Sequence, residues 1–369
     1  MGKQFAAAAA LATAVPSAAA HQLSVRLVED TAGLGRAGQV VTMTLAPSDV
    51  VINEVMDTFM VGYAPPQFRA DEVCPIMLVD TDVGKYRQFG LANAFRPVNV
   101  LSSIQADIPE VDVDIALADY AVQERALGGF IPTVTQLNAD AGRALFDPRV
   151  QVGRRIGWAL ALEREIRVWS LLKATGSWAA ANRLTVGSGT KWNDPVNSDP
   201  FADIVTIVEA SAAPVTDLWM IPPVAHSLLR SKNIKDYIRL LGGDAGPIGR
   251  DIAAATASNR PMDFTIPGLP PIHVVASKVL NESTGALDYI LDDTVIATCA
   301  PAGGNAEGDE IMTCKTFRRR GPSGTGFTTR EIQLDRRGLH GGTFLASGHA
   351  EVVKMISSTV GGIIINTIQ

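Results

Sequence analysis

The chain predicts an α+β fold built around a central sheet and spread over two or three domains. Three observations lead there. Its 369 residues exceed the roughly 100 to 200 of one ordinary domain. Between Asp147 and Gly176 apolar residues recur at helical spacing for far longer than a typical helix needs. Downstream, helical and β-rich segments follow one another in the order helix, strand, helix, strand, strand.

Composition narrows the function classes. Hydrophobic residues at 47% and charged residues at 19% exclude a solvated disordered polymer, and the 33 glycines and 21 prolines lack a collagen period. Thirty-two basic against 38 acidic residues give a net charge of −6, without the basic excess of a dedicated nucleic-acid binder. Aromatics at 6% leave the apolar fraction to Ala, Val, Leu and Ile, which favours structure over an aromatic-lined pocket. No run of 18 strongly apolar residues supports a membrane span. Cys74, Cys299 and Cys314 are too few for a disulfide framework, and a reducing compartment is the simpler reading. Pairing of Cys299 with Cys314 across a turn is the less favoured alternative to buried free thiols.

In chain order, Lys3, the run Ala6 to Val15 and Ser17 to Ala20 imitate a secretory signal. The run is almost all alanine, so a helical or mobile arm is expected instead. Residues 22 to 79 mix short apolar runs with Gly, Pro and Asp and read as an arm, with one short helix through Ser48 to Met60. Lys85 to Phe89 predicts a strand. Val111, Val113, Ile115 and Leu117 alternate with Asp112, Asp114, Ala116 and Ala118, a second strand with its aliphatics on one face. Leu91 to Glu110, with Pro97 and Pro109, is the distal part of the two-stranded excursion between them.

Asp147 as cap, Pro148 at the first helical position and Gly176 past the end delimit a helix over Pro148 to Thr175, roughly 42 Å long. Val152, Ile156, Ala159, Leu162, Ile166, Trp169 and Leu172 or Lys173 form its expected buried stripe. Glu163, Arg164, Glu165 and Arg167 are expected on a solvated face. Residues 176 to 197, carrying Trp178 and Trp192, read as loop. Asp199-Pro200 starts a short helix that ends before Pro214, with Phe201, Ile204, Val205 and Val208 on one face. Leu218 to Ile221 predicts a buried strand stopped by Pro222-Pro223, and a helix from Val224 towards Leu241 stops at Gly242-Gly243. Further strands are expected at Ile272 to Ala276, Tyr289 to Thr298, Thr329 to Leu334, Glu351 to Ile356 and Gly361 to Thr367. There is no internal repeat.

Enzyme signatures fail one by one. Gly187-Ser188-Gly189-Thr190-Lys191 lacks the first glycine of a phosphate loop. His340-Gly341-Gly342-Thr343 resembles an oxyanion loop with no nucleophile to serve, and reads as a tight turn. His21, His226, His273, His340 and His349 never reach metal-ligand spacing and are expected as core or surface histidines. Asp292-Asp293 reads as turn, and Asp112 with Asp114 as a solvated face. Arg318-Arg319-Arg320, Arg336-Arg337 and Arg154-Arg155 could touch phosphates, but ion pairs between subunits are the preferred account. No catalytic, cofactor-binding or metal-ligating residue, and no cofactor, is expected.

The order of segments then says more than any motif. Val79-Asp80-Thr81-Asp82-Val83-Gly84-Lys85-Tyr86, leading into an excursion, resembles the start of the extended loop in major capsid proteins of tailed phages, the Hong Kong 97-type coat fold. The long helix with Leu162 to Ile166 resembles their spine helix. Trp192-Asn193-Asp194 and Ser198 to Ile204 are similar to the step into the axial domain, Asp217 to Ile221 with Ala225 to Ile238 to its next strand and helix, and Gly361 to Ile365 to the final strand. The resemblance spans roughly Phe59 to Gln369.

It implies an N-terminal arm at 1–78, an extended loop at 79–126, a peripheral domain with spine helix at 127–195, an axial domain at 196–326 and a C-terminal return to the peripheral domain at 327–369. It further implies a non-enzymatic virion protein, assembled in the host cytoplasm. Copies of itself would form pentamers and hexamers of an icosahedral shell around double-stranded DNA, without sequence specificity. A portal protein, and separate scaffolding and decoration proteins, are its expected partners; a membrane is not. No local pattern identifies partners for the lysine–asparagine cross-link of some members. Two rivals stand beside it: a secreted or periplasmic α+β enzyme or binding protein with a signal peptide at 1–20, and a cellular nanocompartment shell of the same fold.

Overall fold

The structure, a computed structural model, describes residues 50–52, 60, 68–88, 116–140, 147–240, 263–300, 311–322, 324, 326–335 and 340–368. The chain divides into residues 1–51 and residues 52–369. Of the first, only the start of strand β1 (Val50–Ile52) is described. Of the helix expected through Ser48 to Met60, Val50–Ile52 form a strand instead, three consecutive β-branched residues favouring extended backbone, while Met60 is helical. The rest of that segment, the signal-like run, the distal excursion, Asp112 with Asp114, and Arg336-Arg337 lie outside the described residues.

The second unit has two sheets joined by one long helix. In the larger sheet the central strand is β14 (Gly342–Met355). Along one edge it pairs antiparallel with β5 (Gln123–Pro132), Gly342 opposite Pro132 through Glu351 opposite Gln123. It also pairs antiparallel with β13 (Thr328–Leu334) at its start and with β12 (Cys314–Arg319) at its end. Strand β2 (Ile76–Val79) adds in parallel beside β12, after the one-turn helix α1 (Ala70–Val73). The smaller, five-stranded sheet runs β6 (Arg183–Thr185), β15 (Gly362–Ile365), β11 (Val295–Thr298), β7 (Asp217–Met220), β8 (Ile272–Val274). Both sheets therefore draw strands from both sides of residue 327.

Two ribbons stand apart from the sheets. One pairs β3 (Val83–Gln88) with β4 (Ala116–Ala121), and the other pairs β9 (Lys278–Leu280) with β10 (Leu287–Tyr289). Helix α2 (Thr133–Asp140) follows β5.

Helix α3 (Pro148–Lys173) is the predicted long helix. Asp147 caps it, its side chain accepting from the Arg149 amide at 2.8 Å, with Pro148 in the first turn. It stops at Lys173, two residues before the predicted end, and Thr175–Ser177 tightens into a 3₁₀ turn. The buried face is Gly153, Ile156, Gly157, Leu160, Arg164, Glu165, Val168, Trp169 and Leu172. The expected stripe shares Ile156, Trp169 and Leu172 with it, but mid-helix the inward positions are Arg164 and Glu165, while Leu162 and Ile166 are half-buried. The helix lies on β14 and β5, and it comes so close that a Cβ at Gly129 would sit 2.4 Å from Val152 Cγ1.

One helix serves two cores. Ile156 and Leu160 pack with Met60 and Leu345, whereas Val168, Trp169 and Leu172 belong to the main cluster under the smaller sheet. That cluster buries Trp169, Trp178, Trp192 and Trp219 almost completely. Each indole N–H finds a partner at 2.8 Å: Glu165 Oε1, the Leu172 carbonyl, Asp203 Oδ2 and Thr298 Oγ1 respectively. Large apolar area is thus removed from water without an orphaned donor. Trp178 and Trp192 sit in the segment read as loop, which folds as 3₁₀ turns and β6.

Around the smaller sheet lie α4 (Pro200–Ala210), capped by Asp199, and α5 (Pro222–Arg230) with α6 (Lys232–Leu240). The single helix expected from Val224 to Leu241 is broken at Ser231, which is extended. The Lys232 amide there donates to the Pro195 carbonyl at 3.0 Å. The prolines 222 and 223 open α5. The strand expected at Tyr289 to Thr298 is likewise split, by a turn with Asp292 at φ 53°. Gly361, at φ +87°, joins β14 to β15, where a Cβ would meet the Ala297 carbonyl at 2.2 Å.

The cysteine expectation is corrected. Cys74 and Cys314 are joined by a disulfide across 240 positions, and Cys299 is the free thiol. Neither the predicted reducing compartment nor the Cys299–Cys314 alternative points to this pair. Its partners meet only because β2 lies beside β12.

Candidate functional site

The most concentrated chemistry lies where α3 crosses the larger sheet. Strand β14 places His349 and Glu351 beneath the helix, and the register sets Arg318 of β12 opposite Glu351. Glu351 is fully buried. Its Oε2 accepts from Arg318 Nε at 2.8 Å and pairs with Nη2 at 2.6 Å, and its Oε1 accepts from Arg167 Nη2 at 2.5 Å. Arg164 Nε lies 3.5 Å and His349 Nε2 3.2 Å from the same oxygen.

Carboxylates balance the arginines. Glu163 receives Arg167 at 3.1 Å and Arg125 at 2.7 Å, and Asp71 pairs with Arg164. Burial pushes the Glu351 carboxyl up, but His349, Arg318 and Arg164 outweigh it and hold the group well below the usual range. Burial lowers Arg164 to about 10, against the pull of Glu351. Burial also lowers His349, helped by the adjacent Arg318 and Arg167.

Glu165 does a different job. It accepts from the amides of Arg69 and Ala70 at 3.1 and 2.8 Å, from Trp169 and from Ser277 Oγ at 3.0 Å. One buried carboxylate thus caps the first turn of α1 and ties it to the long helix and to the segment after β8. The expectation of a solvated face is corrected for Arg164 and Glu165: both are buried, Glu165 on the four donors just named and Arg164 against Asp71, the Cys74 carbonyl, Thr316 and Glu351.

The remaining basic and acidic candidates resolve as intrachain contacts. Arg318 is buried on Glu351; Arg319 pairs with Asp82 at 2.8 Å and Arg320 with Asp80 at 3.3 Å. Arg154 and Arg155 are exposed. His273 lies between Asp217 at 2.9 Å and Asp263 at 3.0 Å and stacks on Trp219. Burial disfavours its charge, but the two carboxylates prevail and raise it to about 9. Asp292 sits in a turn and pairs with Lys173 at 2.5 Å, and residues 187–190 form a turn. Among the described residues no cluster of His, Cys, Asp and Glu could hold a metal ion. His340 is exposed, and His226 is half-buried in α5.

Part of the outward surface is apolar. At the ribbon, Val83 is 67% and Leu117 59% exposed, so the described end of the aliphatic face expected for the second strand is uncovered in the single chain. The root of that ribbon is fixed: Tyr120 stacks on Phe317 with centroids 4.6 Å apart, and Val122 donates to the Asp82 carbonyl. Leu280 and Leu287, directly opposed in the second ribbon, are also exposed, as are Val134 and Leu137 of α2. Exposed aliphatics of this kind suit contact with another protein surface.

No protein-family model matches the chain. A major capsid protein of Pseudomonas phage JBD67 is 23% identical over 159 residues, 43% of this chain and 50% of the relative, so the match spans half of that relative's length. A crystal structure of a phage-related protein from Bordetella bronchiseptica RB50 superposes with a TM-score of 0.63 at 16% identity, covering 86% of this chain and 98% of that one. A prophage protein from E. coli CFT073, described as a capsid protein, gives 0.54 at 11% identity, with 85% and 97% covered. The chain has the phage capsid fold.

Within the capsid fold the expected long helix and the start of the ribbon stand where the order of segments placed them. The buried charge joint was not foreseen. Its one local signal was the run Leu162 to Ile166, whose helical phase puts Arg164 and Glu165 on the same side as Leu160 and Val168.

Proposed function

We propose that the chain is the repeating subunit of a phage-type icosahedral shell, a major capsid protein that acts by self-assembly into pentamers and hexamers. The observation that carries this is the capsid fold together with a two-stranded ribbon that leaves the aliphatics Val83 and Leu117 uncovered in the single chain, beside Lys85, Arg87 and Asp119 on the same face. A ribbon of this kind has little stability alone and gains it on a neighbour. In this reading residues 1–78 are the arm and 79–126 the loop, both reaching over adjacent subunits. Residues 127–195 with 327–369 are the peripheral domain and 196–326 the axial domain, with β12 of the axial span joining the larger sheet and β6 and β15 of the peripheral spans joining the smaller one. The role is structural, the location the virion, and assembly takes place in the host cytoplasm. Double-stranded DNA is enclosed without sequence reading, and a portal protein, with scaffolding and decoration proteins, completes the particle.

The secreted-enzyme alternative is not favoured, since the relative and the structural neighbours point to capsids. Electron microscopy of the expressed full-length chain tests the proposal: closed shells or rings of five and six subunits are expected. A strictly monomeric species in all salt and concentration conditions overturns it. Nuclease-protected DNA in particles from a lysate separates a virion shell from a protein-filled nanocompartment.

A further inference from the structure

The disulfide sits at a mechanical junction. Cys74 ends α1 and leads through Pro75 into β2, the edge strand from which the chain passes, over Asp80 to Asp82, into the β3–β4 ribbon. Only four residues of parallel pairing, Ile76 to Val79 against Thr316 to Arg319, hold β2 to the sheet. Parallel pairing at an edge is the weaker kind. Cys314 opens β12, the strand that also carries Phe317 under Tyr120 and Arg318 on Glu351.

Hydrogen bonds independent of the sulfurs already bring the two positions together. The Cys74 amide donates to the Ala70 carbonyl at 3.0 Å. The Cys74 carbonyl accepts from Arg164 Nη2 and from Thr316 Oγ1, each at 3.3 Å. The Thr316 amide donates to the Pro75 carbonyl at 2.9 Å, and Glu165 fixes the other end of α1. The two Cα atoms are 5.3 Å apart. None of those bonds involves a sulfur atom. The third cysteine, Cys299, lies against Thr313, the neighbour of Cys314, its amide donating to Thr313 Oγ1 at 2.8 Å and its thiol donating to the Ile311 carbonyl. Burial together with the charge of Asp217 raises its thiol, which leaves less thiolate for exchange.

We propose that Cys74 and Cys314 form a reversible redox staple: the dithiol chain folds to this same architecture, and oxidation then locks β2, the root of the ribbon, to the larger sheet. A small-molecule disulfide such as oxidised glutathione is the oxidant. One cysteine thiolate attacks an oxidant sulfur and expels one glutathione thiolate. The other cysteine thiolate attacks the resulting mixed disulfide at the protein sulfur and expels the second. Two protein S–H protons pass to solvent, two electrons pass to the oxidant, and one S–S bond is exchanged for another. With Cys74 at 0% and Cys314 at 1% exposure, the oxidant reaches them when the β2 edge opens, so the bond records that the edge has opened and then prevents it from opening again.

The test uses the full-length chain purified under a thiol reductant without air, and then treated or not with oxidised glutathione. Each sample is denatured in N-ethylmaleimide and weighed by mass spectrometry. The reduced chain is expected to carry three alkylated thiols and the far-ultraviolet circular dichroism of the oxidised chain. The oxidised chain is expected to carry one, on Cys299, with a peptide joining Cys74 to Cys314, and to melt about 5 °C or more higher. Cys314→Ser is expected to melt with the reduced chain and to ignore the oxidant; should that variant misfold, the reduced wild type supplies the same comparison. Three alkylated thiols after oxidation, pairing through Cys299, an unfolded reduced chain, or equal melting temperatures would each overturn the staple.

Discussion

Glu351 holds three arginines in place from a position with no access to water. Losing Glu351 strips Arg318 of the carboxylate it is buried on and leaves Arg164 and Arg167 with Asp71 and Glu163, and breaking a buried pair costs about 3–5 kcal/mol. Glu351→Gln keeps the shape and removes the charge. It is expected to lower the free energy of unfolding of the subunit by that amount in urea titrations; a loss under about 1 kcal/mol would show the joint to be energetically idle. Because the folded state depresses this carboxyl, its stabilisation is complete above pH 4.5, its ordinary value, and is lost as the pH falls through the depressed one. His349 adds to the same trend, since a histidine kept neutral by burial costs stability as the pH drops below 6.5. The acid limb of a wild-type stability profile is therefore expected to be steep and that of Glu351→Gln flatter. The helical phase of Arg164 was the one part of this joint legible in the chain; its pairings were not, because Arg167 and Glu351 are 184 positions apart and meet through the sheet register.

The long helix belongs to two cores, and its continuity is what relates them. Leu160 lies mid-helix and buried, so Leu160→Pro removes one backbone hydrogen bond, crowds the preceding turn and empties a core position, at a cost of about 3 kcal/mol or more. Insoluble or unfolded protein is the expected result, read by circular dichroism, and normal particle yield would contradict the role given to the helix. Its start was legible because a cap is local chemistry: Asp147 and Pro148 act within one turn, as do Asp199 and Pro200 for α4. Its buried face was less so, since apolarity marks the inward side only where no charge has a hidden partner. The break at Ser231 was invisible for a related reason. Val224, Leu228 and Ile234 keep an apolar rhythm across it, and the bond that favours the break comes from Pro195, far back in the chain. Strand β14 extends well upstream of the predicted Glu351 to Ile356, because Gly342 and Gly348 weaken the β signal while making room for neighbouring strands.

For the whole molecule, the exposed aliphatics separate folding from assembly. Val83→Asp with Leu117→Asp places charge on side chains that are mostly in water, so subunit stability is expected to change by no more than about 0.5 kcal/mol. Shell formation, followed by light scattering and microscopy, is expected to fail, and full-sized shells from the double variant would move the adhesive surface elsewhere. One feature of the topology bears on synthesis. The central strand of the larger sheet is β14, and β15 lies between β6 and β11 in the smaller one, so both sheets wait for residues 342–365. A nascent chain can wind α3 early, but it completes neither sheet until that stretch has left the ribosome. A polypeptide cut short before Gly342 lacks the middle of both, and so presents no finished surface for a neighbour to recognise. Quality control of the building block is in this way written into the order of its strands.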